Sequence, residues 1–377
     1  YAGLIEKIPY LKELGISATL VAVLISLPYL FSPLQVVIGA YTDRNPIMGL
    51  RRTPYIVVGL LLCILGALAA PAAAFLLDSN LALGLLVCLV VFGLWGMGFN
   101  FATVSYFSLA SDLDEKGRSG TIAFMFTMMI ISIIVMSIVI SRMVEPYSPE
   151  ALRRAFLLTA GLASVAGVAG LLGVERRVEG TLTGHRHTMR EMLDTILGNR
   201  QAAQFFLYLV ILLAAILGED VLLEPFAGKA FGMTVGETSR ITSFWGTFFL
   251  IAMVTAPFLR HMNKATMARM GAWQAIVGLV LIAVSGPAGI SGIFYLGVVV
   301  LGLGTGFSTV SNLSLMLDMT TPGNIGLFIG AWGMASAVAR LVGNVLSGAV
   351  RDTVSLALAD DALMGYVVVF GLHAVFL

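Results

Sequence analysis

Charge is what this chain has least of. Lys, Arg, Asp and Glu together make up 11% of its 377 residues, and the formal net charge is +1. A soluble domain carries about 25% charged residues, so a water-facing globular surface is excluded. The few basic residues are scattered over connectors and build no continuous patch, which argues against nucleic acid as a partner. Cysteine is almost absent. Cys63 and Cys88 both fall inside apolar runs, where they read as small buried hydrophobes rather than a disulfide framework. The sequence carries no phosphate-binding glycine loop, no nucleophile elbow and no His/Cys cluster at metal spacing. Catalysis is therefore the least expected activity, and no cofactor is required. No cleavable secretory signal is visible at Tyr1.

What is present is apolar length. Hydrophobic residues make up 58% of the chain, and its mean hydropathy is +0.96. Runs of roughly 20 residues, long enough to cross a ~30 Å hydrocarbon core as helices, recur throughout. They fall near 15–41, 54–77, 81–109, 121–144, 153–174, 202–224, 239–259, 267–286, 291–317 and 325–350, with a last one from about 362 to the end. The reading is an all-α polytopic membrane protein with eleven visible spans.

One stretch occurs twice. Thr103-Val104-Ser105 through Asp112 matches Thr309-Val310-Ser311 through Asp318 at a constant offset of 206, and the same offset pairs Gly96 with Gly302 and Gly98 with Gly304. Such a duplication marks a transporter fold built from two repeated halves. Two six-helix halves require an even count, so one further helix is expected before Tyr1. The domains expected are an N-terminal bundle at 1–174, a linker at 175–201 and a C-terminal bundle at 202–377. Motion would be rocking of the two halves. Basic residues favour the side holding Arg44, Arg51, Arg52 and the 175–201 linker, which is therefore expected to be cytoplasmic.

Several positions combine polarity with membrane depth. Arg340 and Asn344 lie one turn apart deep in the span 325–350, where a lone Arg costs at least ~2.5 kcal/mol unless it is paired or reaches water. Glu219, Asp220 and Glu224 close the span 202–224, with Glu224-Pro225 expected to end that helix. Glu219, Asp220 and Asp352 are candidate partners for Arg340. Asn100 and Gln35 line the same cavity or bridge helices. His373 is the histidine inside a span, and its imidazole is a possible pigment ligand or a helix-bridging hydrogen-bonder. Gly39-x3-Asp43-Arg44-x4-Gly49-x-Arg51-Arg52 reads as a connector whose arginines pair with an acid such as Asp112, forming a clasp that favours one access state. Asp318 is the counterpart of Asp112 in the second copy, facing the basic 260–269 connector.

The segment Glu219-Asp220-Val221-Leu222-Leu223-Glu224-Pro225-Phe226-Ala227-Gly228, followed by Phe231-Gly232-Met233, resembles a signature of the PucC/LhaA family. That family is the bacteriochlorophyll delivery branch of the major facilitator superfamily. Gly326-Leu327-Phe328-Ile329-Gly330-Ala331-Trp332-Gly333-Met334-Ala335, with Arg340 and Arg351-Asp352, resembles a second signature, and Leu50-Arg51-Arg52-Thr53-Pro54 also fits. Glu219 stands where the family pattern often has Gln, and Phe226 where Tyr is frequent. The resemblance implies a twelve-helix facilitator fold in a bacterial photosynthetic inner membrane. It further implies a protein that delivers chlorophyll or bacteriochlorophyll, as cargo, to antenna or reaction-centre polypeptides. The alternatives are a non-transporting assembly subunit and a proton-coupled exporter of another amphiphile.

Overall fold

The computed structural model describes residues 17–113, 118–175, 198–218, 221–259, 262–319, 325–358 and 361–377. Among these, every regular element is a helix apart from one isolated bridge between Ile47 and Leu50. In chain order the α-helices are α1 (Ala18–Leu30), α2 (Leu34–Arg44), α3 (Thr53–Ser79), α4 (Leu81–Leu113), α5 (Arg118–Met143), α6 (Pro149–Leu171), α7 (Arg200–Leu217), α8 (Leu223–Phe231), α9 (Val235–Thr255), α10 (Lys264–Ala288), α11 (Ser291–Asp318), α12 (Ile325–Ala357) and α13 (Ala362–Phe376). Nine of them are long and apolar enough to cross a membrane, and α1 and α13 are shorter apolar helices. Most carry apolar residues all round, as expected where the surroundings are lipid on one side and protein on the other.

Three expected boundaries differ. The span near 15–41 is two helices, because Phe31–Pro33 is a turn and Pro33, which has no N–H, opens α2. Gly39, Asp43 and Arg44 therefore lie in the last turns of α2 rather than in a connector. The span 202–224 ends at Leu217, and Glu224-Pro225 does not close it. Instead α8 starts at Leu223, so Pro225 occupies a first-turn position where its missing N–H costs nothing. The span 325–350 runs on to Ala357 and takes Arg351 and Asp352 into the helix.

The sequence repeat is a packing repeat. A Cβ at Gly59 would lie 2.5 Å from Ala102 N and 2.7 Å from Gly98 O; one at Gly271 would lie 2.5 Å from Ser308 N and 2.7 Å from Gly304 O. So α3 crosses α4, and α10 crosses α11, backbone to backbone at matched glycines. The helix before each pair also has a mate. Gly96 of α4 abuts Pro28 of α1, and Gly302 of α11 abuts Trp245 and Phe249 of α9. Small residues are what allow such contacts in a membrane, where close van der Waals packing replaces the hydrophobic drive.

By contacts the described residues form two compact units. The first holds 17–26, 130–147 and 198–377, and the second holds 27–129 and 148–175. The core of the first includes an aromatic cluster around Phe226, whose ring centroid lies 5.2 Å from Phe370, 5.9 Å from Phe294 and 6.0 Å from Tyr366.

Candidate functional site

In the second unit, the connector from α2 to α3 is organised by an acid that sequence reading missed. The carboxylate of Glu175, just beyond α6, accepts from Arg51 N at 2.7 Å, Arg52 N at 2.9 Å and Thr53 N at 2.6 Å. Arg52 N and Thr53 N are donors that the start of α3 leaves without an intrahelical acceptor, and Arg52 provides no side-chain cap. A negative charge on a helix N-terminus is favourable. Burial alone would raise the Glu175 carboxyl, but the hydrogen bonds from Thr53, Arg51 and Arg52 outweigh it and hold the group below the ordinary carboxylate range. The buried Arg52 guanidinium donates to Thr42 Oγ1 of α2 at 3.0 Å. Gly49 takes φ 79°, the left-handed conformation that needs glycine, to turn the chain between the two helices. The side chains of Asp43, Arg44 and Asp112 lie outside the described residues.

Gln35 and Asn100 come together in this unit. Gln35 Nε2 donates to Asn100 Oδ1 at 2.5 Å, and Asn100 Nδ2 donates to Pro28 O at 3.0 Å and Gly96 O at 2.7 Å. Asn100 is fully buried. It thus braces the break between α1 and α2 from the side of α4. The position 206 residues on is Gly306, where a Cβ would lie 2.6 Å from Phe249 O. The second copy packs its helices directly; the first inserts a polar bracket.

In the first unit, α12 carries one polar stripe. Arg340, Asn344, Ser347 and Arg351 recur at spacings of three to four and share a face. Buried Asn344 donates to Ser26 Oγ of α1 at 3.1 Å, and its Oδ1 has no hydrogen-bond partner. Ser347 Oγ lies 2.9 Å from His373 Nε2 of α13. His373 is 8% exposed, so a chlorin metal would reach that nitrogen only by displacing Ser347. Arg351 donates to Asp352 at 2.8 Å and stacks over Tyr366 with 5.0 Å to the ring centroid. Asp352 was a candidate partner for Arg340, but it lies twelve residues further along the same helix, about 18 Å away at 1.5 Å per residue. It grips the start of α1 instead. Arg340 itself is half-buried.

Beside this stripe the path of helix α7 is interrupted. A Cβ at Gly343 would sit 2.6 Å from Ala214 O and 2.9 Å from Gly218 Cα, so α12 touches the last turn of α7 by its backbone. The chain resumes as α8, whose first turn carries buried Glu224. Its Oε1 accepts from Thr242 Oγ1 of α9 at 2.7 Å. Glu219 and Asp220 lie outside the described residues. Asp318, at the end of α11, receives Lys264 Nζ at 2.7 Å on both carboxylate oxygens; both side chains are largely exposed, so the pair adds little stability. Ser26, Thr242 and Ser347 joined the site unannounced, because a serine or threonine in an apolar run gives no sign of which neighbour it faces.

A protein-family model described as PUCC protein matches residues 10–377. Among curated relatives, Protein PucC of Rhodobacter capsulatus is 27% identical over 367 residues, covering 93% of this chain and 79% of the relative. A protein of Rhodobacter capsulatus named Bacteriochlorophyll synthase 44.5 kDa chain is 26% identical over 370 residues, covering 96% of this chain and 85% of that one. Among solved structures, the nucleoside transporter NupG superposes with a TM-score of 0.68 at 15% identity, over 100% of this chain and 93% of that chain. The fold is that of major facilitator superfamily transporters.

Proposed function

Because the chain belongs to the PUCC protein family, we propose that it is an assembly factor of photosynthetic membranes that binds chlorophyll or bacteriochlorophyll and hands it to antenna or reaction-centre polypeptides. Family and fold are those of transporters and assembly factors rather than of enzymes. The observation that carries the reading is the family match, which runs through both the interrupted helix α7–α8 and the polar stripe of α12. The geometry supports it. The chain breaks after α7 and restarts as α8, whose N-terminus is a half-helix end of the kind that binds ligands in transporters. Arg340 and Asn344 flank Gly343 at that break. A few polar groups set in apolar walls suit a large apolar ring with a polar rim. In this reading Arg340, Asn344, Glu219, Asp220 and Glu224 supply the polar lining. The Arg51–Arg52 connector, with Glu175, acts as the clasp.

A second reading, proton-coupled export of another amphiphile, draws on buried Glu224 and its bond to Thr242. An ionisable side chain within a membrane is a functional candidate by default. The test is an absorption spectrum of the purified protein, together with antenna assembly in a strain carrying Arg340→Ala. Chlorin bands and impaired assembly are expected. A pigment-free protein with unchanged assembly in that strain removes the pigment reading.

A further inference from the structure

The turn that joins α2 to α3 holds a residue that its backbone resists. Ile47 and Leu50 exchange both backbone hydrogen bonds, Ile47 N to Leu50 O at 2.9 Å and Leu50 N to Ile47 O at 3.0 Å. This closes a two-residue turn on Met48 and Gly49, with φ 55° and 79°. Both positions lie in the left-handed region, where Asn-Gly is the preferred pair. Among the described residues, Met48 is the one non-glycine with a positive φ. Methionine has no side-chain hydrogen bond to offset that conformation, as Asn or Asp would, so the turn carries strain. Strain of this kind collects where a side chain is used.

The surroundings hold the strained turn in place. Before it, Tyr55 Oη donates to Asn45 O at 2.5 Å. After it, Glu175 accepts from Arg51 N, Arg52 N and Thr53 N. The side chain so presented is 86% exposed, beside Ile47 at 44%. The Glu175 anchor also draws in the end of α6, where Leu172 is 73% exposed. Three apolar side chains thus stand uncovered at one end of the second unit.

Depth and charge say what covers them. Helix α3 has 27 residues, about 40 Å at 1.5 Å per residue, against a bilayer of about 30 Å of hydrocarbon and about 40–45 Å with both headgroup layers. Each end of α3 therefore emerges within a headgroup layer, and the turn anchored to its first residues emerges there too. Residues 43–52 carry Arg44, Arg51 and Arg52 against Asp43, and Arg176 and Arg177 follow Glu175 directly in the sequence. The charge of Glu175 is itself taken up by backbone donors. Apolar side chains among basic residues suit the boundary between acyl chains and anionic headgroups.

We propose that the Ile47–Met48 turn, with Leu172, is a membrane-interface anchor that seats in the headgroup–acyl boundary and prefers anionic lipid. It ties the α2–α3 connector to the membrane surface. The inference goes beyond the pigment reading and does not depend on it.

The test places an environment-sensitive fluorophore on Met48→Cys in a chain with Cys63 and Cys88 replaced by alanine. Ser79→Cys, exposed at the other end of α3, is the reference for a polar site at headgroup level. Each protein is set in nanodiscs of phosphatidylcholine, alone or with about 30% phosphatidylglycerol, an anionic lipid that draws basic segments to a surface. Quenching is measured with aqueous iodide and with a lipid carrying a nitroxide just below its headgroup. The label at position 48 is expected to be quenched by iodide at least about twofold less than the label at 79, and by the nitroxide more, because a tip seated about 5–10 Å into the boundary lies beyond the reach of iodide. The difference between the two positions is expected to widen with anionic lipid. Equal quenching at both positions overturns the proposal, and a difference that anionic lipid does not widen overturns its charge part. Shielding of position 48 that appears in native membranes but not in nanodiscs assigns the tip to a protein partner and likewise overturns it. If labelled Met48→Cys protein loses its monodisperse elution, Ile47→Cys takes its place under the same criteria. No cargo enters the experiment, so its failure would leave the pigment reading to its own test.

Discussion

At the scale of single residues, one carboxylate outside the membrane spans sits on three backbone donors. Glu175 does for α3 what a local cap does for most helices, and it does so from beyond the end of α6. Replacing it by Gln keeps the shape and removes the charge. Glu175→Gln is expected to cost about 1–2 kcal/mol, the range of a lost helix cap. The sign of the pH dependence follows from the depressed carboxyl. The contribution is complete above the unfolded value of about 4.3 and is lost as pH falls through the lower folded value. Thermal midpoints of native and Glu175→Gln protein should differ by a constant amount from about pH 8 to 5 and converge below about pH 4. A gap that persists at low pH would assign the effect to shape rather than charge. Sequence reading found the arginine connector but looked for its acid on α4. An acid two residues past a glycine at a helix end looks like any solvated terminus until the fold brings it back to α3.

At the scale of elements, the repeat was legible because glycine spacing is a packing requirement written directly into sequence. Gly98 and Gly304 repeat because α3 and α10 cross α4 and α11 at those points. The breaks were not legible. An apolar run with Pro33 inside it, or with two acids near its end, has the same composition whether it is one helix or two. Only the partner decides: Asn100 holds the first break, and the backbone of Gly343 sits against the second. The crossings make a sharp prediction. Gly59→Ala, Gly98→Ala, Gly271→Ala and Gly304→Ala each push a methyl to within 2.5–2.7 Å of backbone atoms. Each should lower the thermal midpoint, with overpacking costs of about 1–3 kcal/mol. Gly161→Ala, in the middle of α6 with nothing within 4 Å of the added carbon, should be neutral or stabilising by about 0.5–1 kcal/mol. Thermal unfolding in detergent separates them, and a Gly304→Ala protein as stable as Gly161→Ala would contradict the crossing geometry.

At the scale of the whole molecule, fold and family leave two roles that differ in arithmetic. A carrier acts repeatedly, so one copy serves many complexes. A structural subunit is consumed in proportion to the complexes it holds. The roles separate when the protein is made limiting. If its abundance is cut to roughly a tenth, a turnover mechanism predicts slower appearance of antenna complexes after induction but nearly the same final amount, because the remaining copies continue to cycle. A stoichiometric subunit predicts an unchanged early rate per copy and a final amount reduced in the same proportion. The measurement is the time course of antenna absorbance in cells with titrated expression, alongside quantitation of this chain in the purified complexes. A final amount that tracks expression one for one, with the chain present at fixed ratio in the product, would assign it as a subunit.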